Sequence, residues 1–197
     1  AKRRGLRQVS WRAMSGITPR RIAVYCGSRP GARPDYLAAA RELGAELANR
    51  GYGLVYGGGS VGLMGAVADA VMDAEGDALG VIPTFLETPE LAHRGLTRLE
   101  VVPDMPARKR RMIEEAGAFV ILPGGTGTLE ELLEVLSWRQ LNLHHKPIIV
   151  LDIAGYWQPL LALADHVCSE GFTSPPERDL LEVAASVADV FRILGDA

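Results

Sequence analysis

The chain has 197 residues, 48% of them hydrophobic, with 21 Lys/Arg against 24 Asp/Glu for a formal charge of −3 and a mean hydropathy of +0.09. That suits one compact domain with a large buried core and needs no second domain. The longest apolar runs are strand-length, short of the ~20 residues that a membrane span requires, and Cys26 and Cys168 are too few for a disulfide scaffold or a zinc site, so a cytoplasmic protein with no membrane partner is expected.

The basic charge is gathered at one end. Residues 1–21 hold seven Lys/Arg and no acid, leaving 14 basic against 24 acidic residues over 22–197, a balance of −10. The tail over 1–20 lacks the apolar stretch of a secretory signal and reads as disordered. A nucleic-acid arm is only weakly supported, and no nucleic-acid partner is expected. Met14, just before Ser15-Gly16-Ile17-Thr18-Pro19, is a candidate start of the natural chain. The folded unit is expected over 21–197.

Periodicity predicts strands near 21–27, 53–57, 79–82, 99–102, 118–122 and 148–152, and helices near 35–50, 62–75, 105–117, 127–142 and 156–168, with a last helix near 179–194. The alternation, and strands apolar throughout such as Pro147-Ile148-Ile149-Val150-Leu151, point to an α/β fold: a single Rossmann-like domain with a mostly parallel sheet and helices on both faces. The segment 83–98, with Pro83, Pro89 and Gly95, reads as a loop or short helix covering the sheet edge.

Three strand-to-helix loops carry glycine. The first strand, Arg21-Ile22-Ala23-Val24-Tyr25, runs into Cys26-Gly27-Ser28-Arg29-Pro30-Gly31. The second runs into Gly57-Gly58-Gly59-Ser60-Val61-Gly62-Leu63-Met64-Gly65, in which Gly57, Gly59 and Gly62 have G-x-G-x-x-G spacing. That spacing alone is a weak signal. No acidic residue stands where a ribose ligand would be expected, since Asp77 precedes the next strand, so a nucleotide-like ligand fits better than NAD. The third loop, Leu122-Pro123-Gly124-Gly125-Thr126-Gly127-Thr128-Leu129-Glu130-Glu131, follows Ala118-Phe119-Val120-Ile121 and opens a helix. Glycines there let backbone N–H groups approach an anion, and the helix adds the positive end of its dipole. For Glu130 alone, complementing that dipole is the lesser reading; the Glu130/Glu131 pair points more strongly to function. Neither glycine run continues into Gly-Lys-Ser/Thr, which argues against a kinase or ATPase.

Asp104-Met105-Pro106-Ala107-Arg108-Lys109-Arg110-Arg111 puts four cations at a helix start, where the dipole disfavours them. An anionic ligand accounts for Arg108 and Lys109, while Arg110 and Arg111 read as a solvated face. Arg108 has the fork that matches phosphate or carboxylate oxygens in pairs. The four histidines form no metal pattern, and no metal is expected. Ser28 and Thr126 lack a hydrolase triad context and read as hydrogen-bonders to phosphate or sugar. Trp138, Leu141 and Leu143 read as core, with a subunit interface as the second reading.

Pro123-Gly124-Gly125-Thr126-Gly127-Thr128-Leu129-Glu130-Glu131 resembles the PGGxGTxxE motif of the LONELY GUY (LOG) family of cytokinin-activating phosphoribohydrolases. The resemblance covers about 22–190 and includes Cys26-Gly27-Ser28, Tyr56-Gly57-Gly58-Gly59, Gly62-Leu63-Met64-Gly65 and Met105-Pro106-Ala107-Arg108-Lys109. It implies hydrolysis of the N-glycosidic bond of an N6-modified adenosine 5′-monophosphate to free base and ribose 5-phosphate, without cofactor or metal. AMP as a substrate stays open. It further implies Arg108 and Glu131 as the catalytic pair, and Gly125, Thr126, Gly127 and Thr128 on the 5′-phosphate. Glu90 and Lys109 join the ligand contacts, and Gly27, Ser28, Gly58, Gly59, Met64, Gly124 and Glu130 complete the expected substrate site. A homodimer is implied, with the helices around 105–142 as its interface. The many Arg and Ala fit a GC-rich bacterial genome.

Members of this family are often labelled lysine decarboxylases, which would require pyridoxal phosphate on a lysine. The chain has only Lys2, Lys109 and Lys146, none well placed. The reading from a different class is a nucleotide-binding sensor or carrier without catalysis, since the same loops would serve it. Glu131 beside Arg108 separates the two, because a mere binder of a phosphorylated ligand gains nothing from a carboxylate facing it.

Overall fold

The computed structural model describes residues 21–195. The expected disordered tail and Met14 lie outside the described residues. Seven strands form one sheet there: β1 (Arg21–Tyr25), β2 (Gly53–Tyr56), β3 (Ala78–Pro83), β4 (Arg98–Val102), β5 (Ala118–Ile121), β6 (Ile148–Leu151) and β7 (Leu181–Ala184). Their order is β4-β3-β2-β1-β5-β6-β7, and every pairing is parallel.

The strands between the edges alternate between two apolar layers, which is why they read as continuous apolar runs. Ile22 and Val24 face one core with helices α1 (Pro34–Asn49), α2 (Gly62–Asp73) and α7 (Val187–Leu194). Ala23 and Tyr25 face the other, with α3 (Met105–Glu115), α4 (Thr126–Gln140) and α5 (Gln158–Ser169). A single turn, α6 (Pro175–Arg178), precedes β7 and is closed by a Ser174/Glu177 capping box.

Two expectations are corrected. The last helix, expected near 179–194, divides into β7 and α7. Leu180, Leu181, Val183 and Ala184 fit a helical stripe and a short strand equally well. Here Leu181 and Ala184 are buried, while Val183 is exposed on an edge strand. The segment 83–98 does not cover the sheet edge. It is the crossover from β3 to β4 on the α2 face, where Leu96 packs on the core, Thr97 accepts from Ala78 N–H (3.1 Å) and His93 Nε2 meets Asp69 of α2 at 2.8 Å.

The strand order reverses at β1, which lies between β2 and β5. In open parallel sheets the crevice at such a reversal, outside the carboxyl ends of the strands, receives ligands. The three glycine loops follow β1, β2 and β5.

Candidate functional site

Gly27 N–H donates to Pro123 O (3.0 Å), and Leu63 N–H donates to Gly27 O (3.0 Å), so the three loops are hydrogen-bonded into one rim. Together with the start of α3 and Tyr156 they enclose a cavity of about 730 Å³. Its lining combines polar groups, Ser28, Arg29 and the Gly124–Thr128 turn, with apolar side chains, Val61, Met64, Ile82, Leu86, Leu91 and Met105. The first N–H groups of α4 have no intrahelical acceptor, and the turn that carries them lines this space.

Arg108 and Glu131 occupy positions where a helix would ordinarily carry apolar residues. Thr128, Glu131, Leu132 and Val135 form the buried stripe of α4, and Arg108, Met112 and Ile113 that of α3. Each charged residue is only 9% exposed. Asp104 caps α3 by accepting from Ala107 N–H (2.8 Å), which offsets the unfavourable cations that follow. Arg108 Nε donates to Val81 O (3.1 Å) and Nη2 to Gly57 O (3.2 Å). Nη1 is left 3.9 Å from Glu131 Oε1, too far for a direct hydrogen bond. Burial pushes the Glu131 carboxyl up to about 7, although Arg108 pulls it down. A carboxylate held near neutrality by an apolar setting, with a fixed guanidinium beside it, is a pattern of catalytic sites more than of structural ion pairs.

Lys109, one residue on, projects elsewhere. Its ammonium pairs with Glu130 and, at 3.2 Å, with Glu134 of α4. The two helices are thus joined by a partly exposed ion-pair cluster outside and the Arg108/Glu131 pair inside. Burial lowers the Lys109 pKa, but the hydrogen bonds that its ammonium donates to Glu130 and Glu134 outweigh it and hold the group above its usual range.

A family model described as "Possible lysine decarboxylase" matches residues 64–194. A probable cytokinin riboside 5′-monophosphate phosphoribohydrolase of Oryza sativa subsp. japonica is 48% identical over 171 residues, 87% of this chain and 70% of that protein. The cytokinin riboside 5′-monophosphate phosphoribohydrolase of Rhodococcoides fascians is 45% identical over 176 residues, 89% of each chain. The chain belongs to the LOG family of phosphoribohydrolases. Two solved structures share the fold. They are a molybdenum cofactor binding protein from Rippkaea orientalis (TM-score 0.69, 21% identity, 91% of this chain and 98% of that one) and the molybdenum cofactor carrier protein of Chlamydomonas reinhardtii (TM-score 0.65, 25%, 88% and 97%).

Of the residues that the LOG motifs single out, Gly27, Ser28, Gly59, Met64, Arg108, Gly124, Gly125, Thr126, Gly127, Thr128, Glu130 and Glu131 line the cavity. Gly58, Glu90 and Lys109 do not. Gly58 is left-handed (φ 75°) and its carbonyl accepts from His93 N–H (2.9 Å), so it shapes the loop from behind. Glu90 adjoins Leu91, and its carbonyl accepts from Ser60 Oγ (3.4 Å). The motifs leave out Arg29, Tyr36, Leu86, Leu91 and Tyr156, which also line the cavity. Of these only Arg29 carries a sequence signal, a cation in the first glycine loop; isolated apolar residues in a crossover are indistinguishable from core.

The family-model description does not match the chemistry of the cavity, since no described lysine lines it. Lys109 is held by two carboxylates and Lys146 donates to Ile113 O (2.6 Å). The residues present do not fit a Schiff base with pyridoxal phosphate. Among the described residues no group of three His, Cys, Asp or Glu side chains is placed to hold a metal, and no helix is long and apolar enough to cross a membrane.

Proposed function

We propose that the cavity hydrolyses the N-glycosidic bond of cytokinin riboside 5′-monophosphates, releasing an N6-modified adenine and ribose 5-phosphate. The observation that carries the mechanism is a nearly buried Glu131 with its carboxyl near neutrality, 3.9 Å from a fixed Arg108. The 5′-phosphate sits on the Gly124–Thr128 turn, taking N–H groups at the α4 start as donors. The base lies toward Val61, Met64, Leu86 and Leu91, an apolar wall suited to a hydrocarbon N6 substituent.

As the C1′–N9 bond breaks, its electron pair leaves with the base and positive charge develops on the ribose. Ionised Glu131 stabilises that charge and accepts a proton from the water whose hydroxyl adds to C1′; the departing base takes one proton from solvent and Glu131 returns its proton to solvent, so the net addition is one water. Arg108 is held by two backbone carbonyls, and its Nη1, which donates to Met105 Sδ (3.7 Å), is the amino group that turns toward the ligand. The contacts assigned to Glu90 and Lys109 are indirect: Glu90 belongs to the crossover that bears Leu91, and Lys109 restrains Glu130.

The protein acts as a cytoplasmic homodimer. Support for the dimer comes from Leu133, Leu141 and Leu143, exposed by 52%, 66% and 66% along and just beyond α4. Light scattering is expected to give about twice the 21.2 kDa of one chain. Support for a reducing compartment is limited to the unpaired Cys26 and Cys168.

The deciding experiment incubates the protein with isopentenyladenosine monophosphate, AMP and isopentenyladenosine, following free base by chromatography. Release from the modified monophosphate and not from the riboside is expected, and the AMP rate decides whether the N6 group is required. Binding without release from any of the three would replace hydrolysis with a sensor or carrier role.

A further inference from the structure

Tyr156 belongs to no motif that marks the site, yet it lines the same cavity and its hydroxyl donates to Gly124 O at 2.5 Å. The turn that carries it is unusual. Ala154 (φ 54°) and Gly155 (φ 74°) are both left-handed, a conformation disfavoured for alanine. Asp152 braces that turn, its Oδ1 accepting from Trp157 N–H (2.7 Å) and its Oδ2 from Gln158 Nε2 (2.5 Å). The Tyr156 ring meets Trp157 edge-on at 4.9 Å and Tyr36 at 5.7 Å. Tyr36 in turn fills the space left by Gly31, where a Cβ would come within 2.6 Å of its ring. Tyr156 therefore links the loop after β1 to the loop after β5.

We propose that Tyr156 is a positioning residue that sets the direction of the anion-binding N–H groups in the Gly124–Thr128 turn. In a trans peptide the C=O and the next N–H point opposite ways, and the described residues contain no cis peptide. A hydroxyl that holds Gly124 O therefore fixes where the Gly125 N–H points. The Gly124–Gly125 unit needs such a hold, because neither residue has a Cβ to resist rotation and Gly125 has nothing within 4 Å on its Cβ side. The inference rests on the phosphate reading of this turn, but its test does not require turnover.

Tyr156→Phe keeps the ring contacts and removes only the hydroxyl. Its melting temperature is expected within about 4 °C of the parent, the scale of the one hydrogen bond lost. Calorimetric Kd values for ribose 5-phosphate and inorganic phosphate should rise about tenfold, the scale of one lost hydrogen bond. With isopentenyladenosine monophosphate, KM should rise by a similar factor and kcat should change less than about twofold. Tyr156→Leu, which also loses the ring, should lower the melting temperature. Unchanged ribose 5-phosphate affinity in Tyr156→Phe would reduce Tyr156 to packing. Failure of the parent protein to bind either phosphate would instead overturn the phosphate reading of the turn.

Discussion

The glycines after β2 and those after β5 border one cavity, but they face different things. Behind Gly57 a Cβ would stand 1.7 Å from Arg108 Nη2, behind Gly59 2.7 Å from Met64 Cε, and behind Gly62, at φ +62°, 2.3 Å from the Ser28 carbonyl carbon. These glycines are demanded by what the protein already contains. Gly125 and Gly127 have nothing within 4 Å on that side, so neither crowding nor φ explains them. Gly124 belongs with the first group, because its Cβ would meet Thr128 Oγ1 at 2.1 Å and Gly27 N at 2.9 Å. Two motifs that look alike thus divide into glycines that make room for the protein's own groups, Arg108 among them, and glycines with open space beside them.

The largest effect is expected from Glu131, the carboxylate 3.9 Å from the arginine that Gly57 accommodates. Glu131→Gln should retain nucleotide binding and lose about 10³-fold in kcat; near-normal turnover would remove Glu131 from the mechanism. The same variant should be more stable at neutral pH. Because the folded carboxyl titrates near 7 and its ordinary value is 4.5, the native state holds the proton more tightly than the unfolded chain. Its contribution is fully present below about pH 4.5 and is lost as pH rises through 7. The loss is about 3 kcal/mol at most. Denaturation of parent and variant across pH 4.5–7 measures it: the parent should weaken with rising pH more steeply. The parent's kcat/KM should correspondingly rise through an acid limb near pH 7, and that limb should vanish in Glu131→Gln.

Gly57→Ala comes next, since Arg108 must leave its two carbonyl acceptors to make room. A loss of about 10²-fold in kcat and about 1–3 kcal/mol of stability is expected. In the Glu131→Gln background the kcat loss should largely disappear, because the two changes disable one unit. Full additivity in that double variant would separate Gly57 from the Arg108/Glu131 pair.

Gly127→Ala should act in the opposite sense on stability. Alanine in a helix gains up to about 1 kcal/mol over glycine, while its methyl enters the anion space. An unchanged or raised melting temperature with a roughly tenfold higher KM is expected. A variant that loses stability and keeps its KM would put Gly127 among the packing glycines.

The smallest effect is expected at Lys109, whose partners are Glu130 and Glu134. Lys109→Met should change KM by less than about threefold; a loss of tenfold or more would show that the ammonium reaches the ligand directly.

Much of this was legible in the sequence, for reasons that also explain what was not. The five strands between the edges stand out because burial on both faces makes them almost wholly apolar, and the Pro123–Glu131 run stands out because glycine, threonine and two carboxylates there have no joint structural explanation. β7 was hidden because at the sheet edge Glu182 breaks the apolar run, and the residues around it also suit a helix. The division within the glycine loops was invisible, since Gly57 is defined by a side chain 51 positions away. Tyr156 was missed for a similar reason: its meaning lies in a carbonyl 32 positions earlier.

The place of β1 also governs how the molecule comes together. Ile22 pairs with Leu54 on one side and with Ala118 on the other, so one edge of the central strand waits for a partner from the far half of the chain. Such distant pairing slows folding. The cavity straddles that seam, and a nucleotide there touches loops from both halves, so only the assembled state can bind it. At a hundred times its dissociation constant such a ligand adds about 2.7 kcal/mol to the assembled state. Substrate would serve as a reversible clasp on the last-closed join, and thermal resistance in the cell would track the supply of nucleotide.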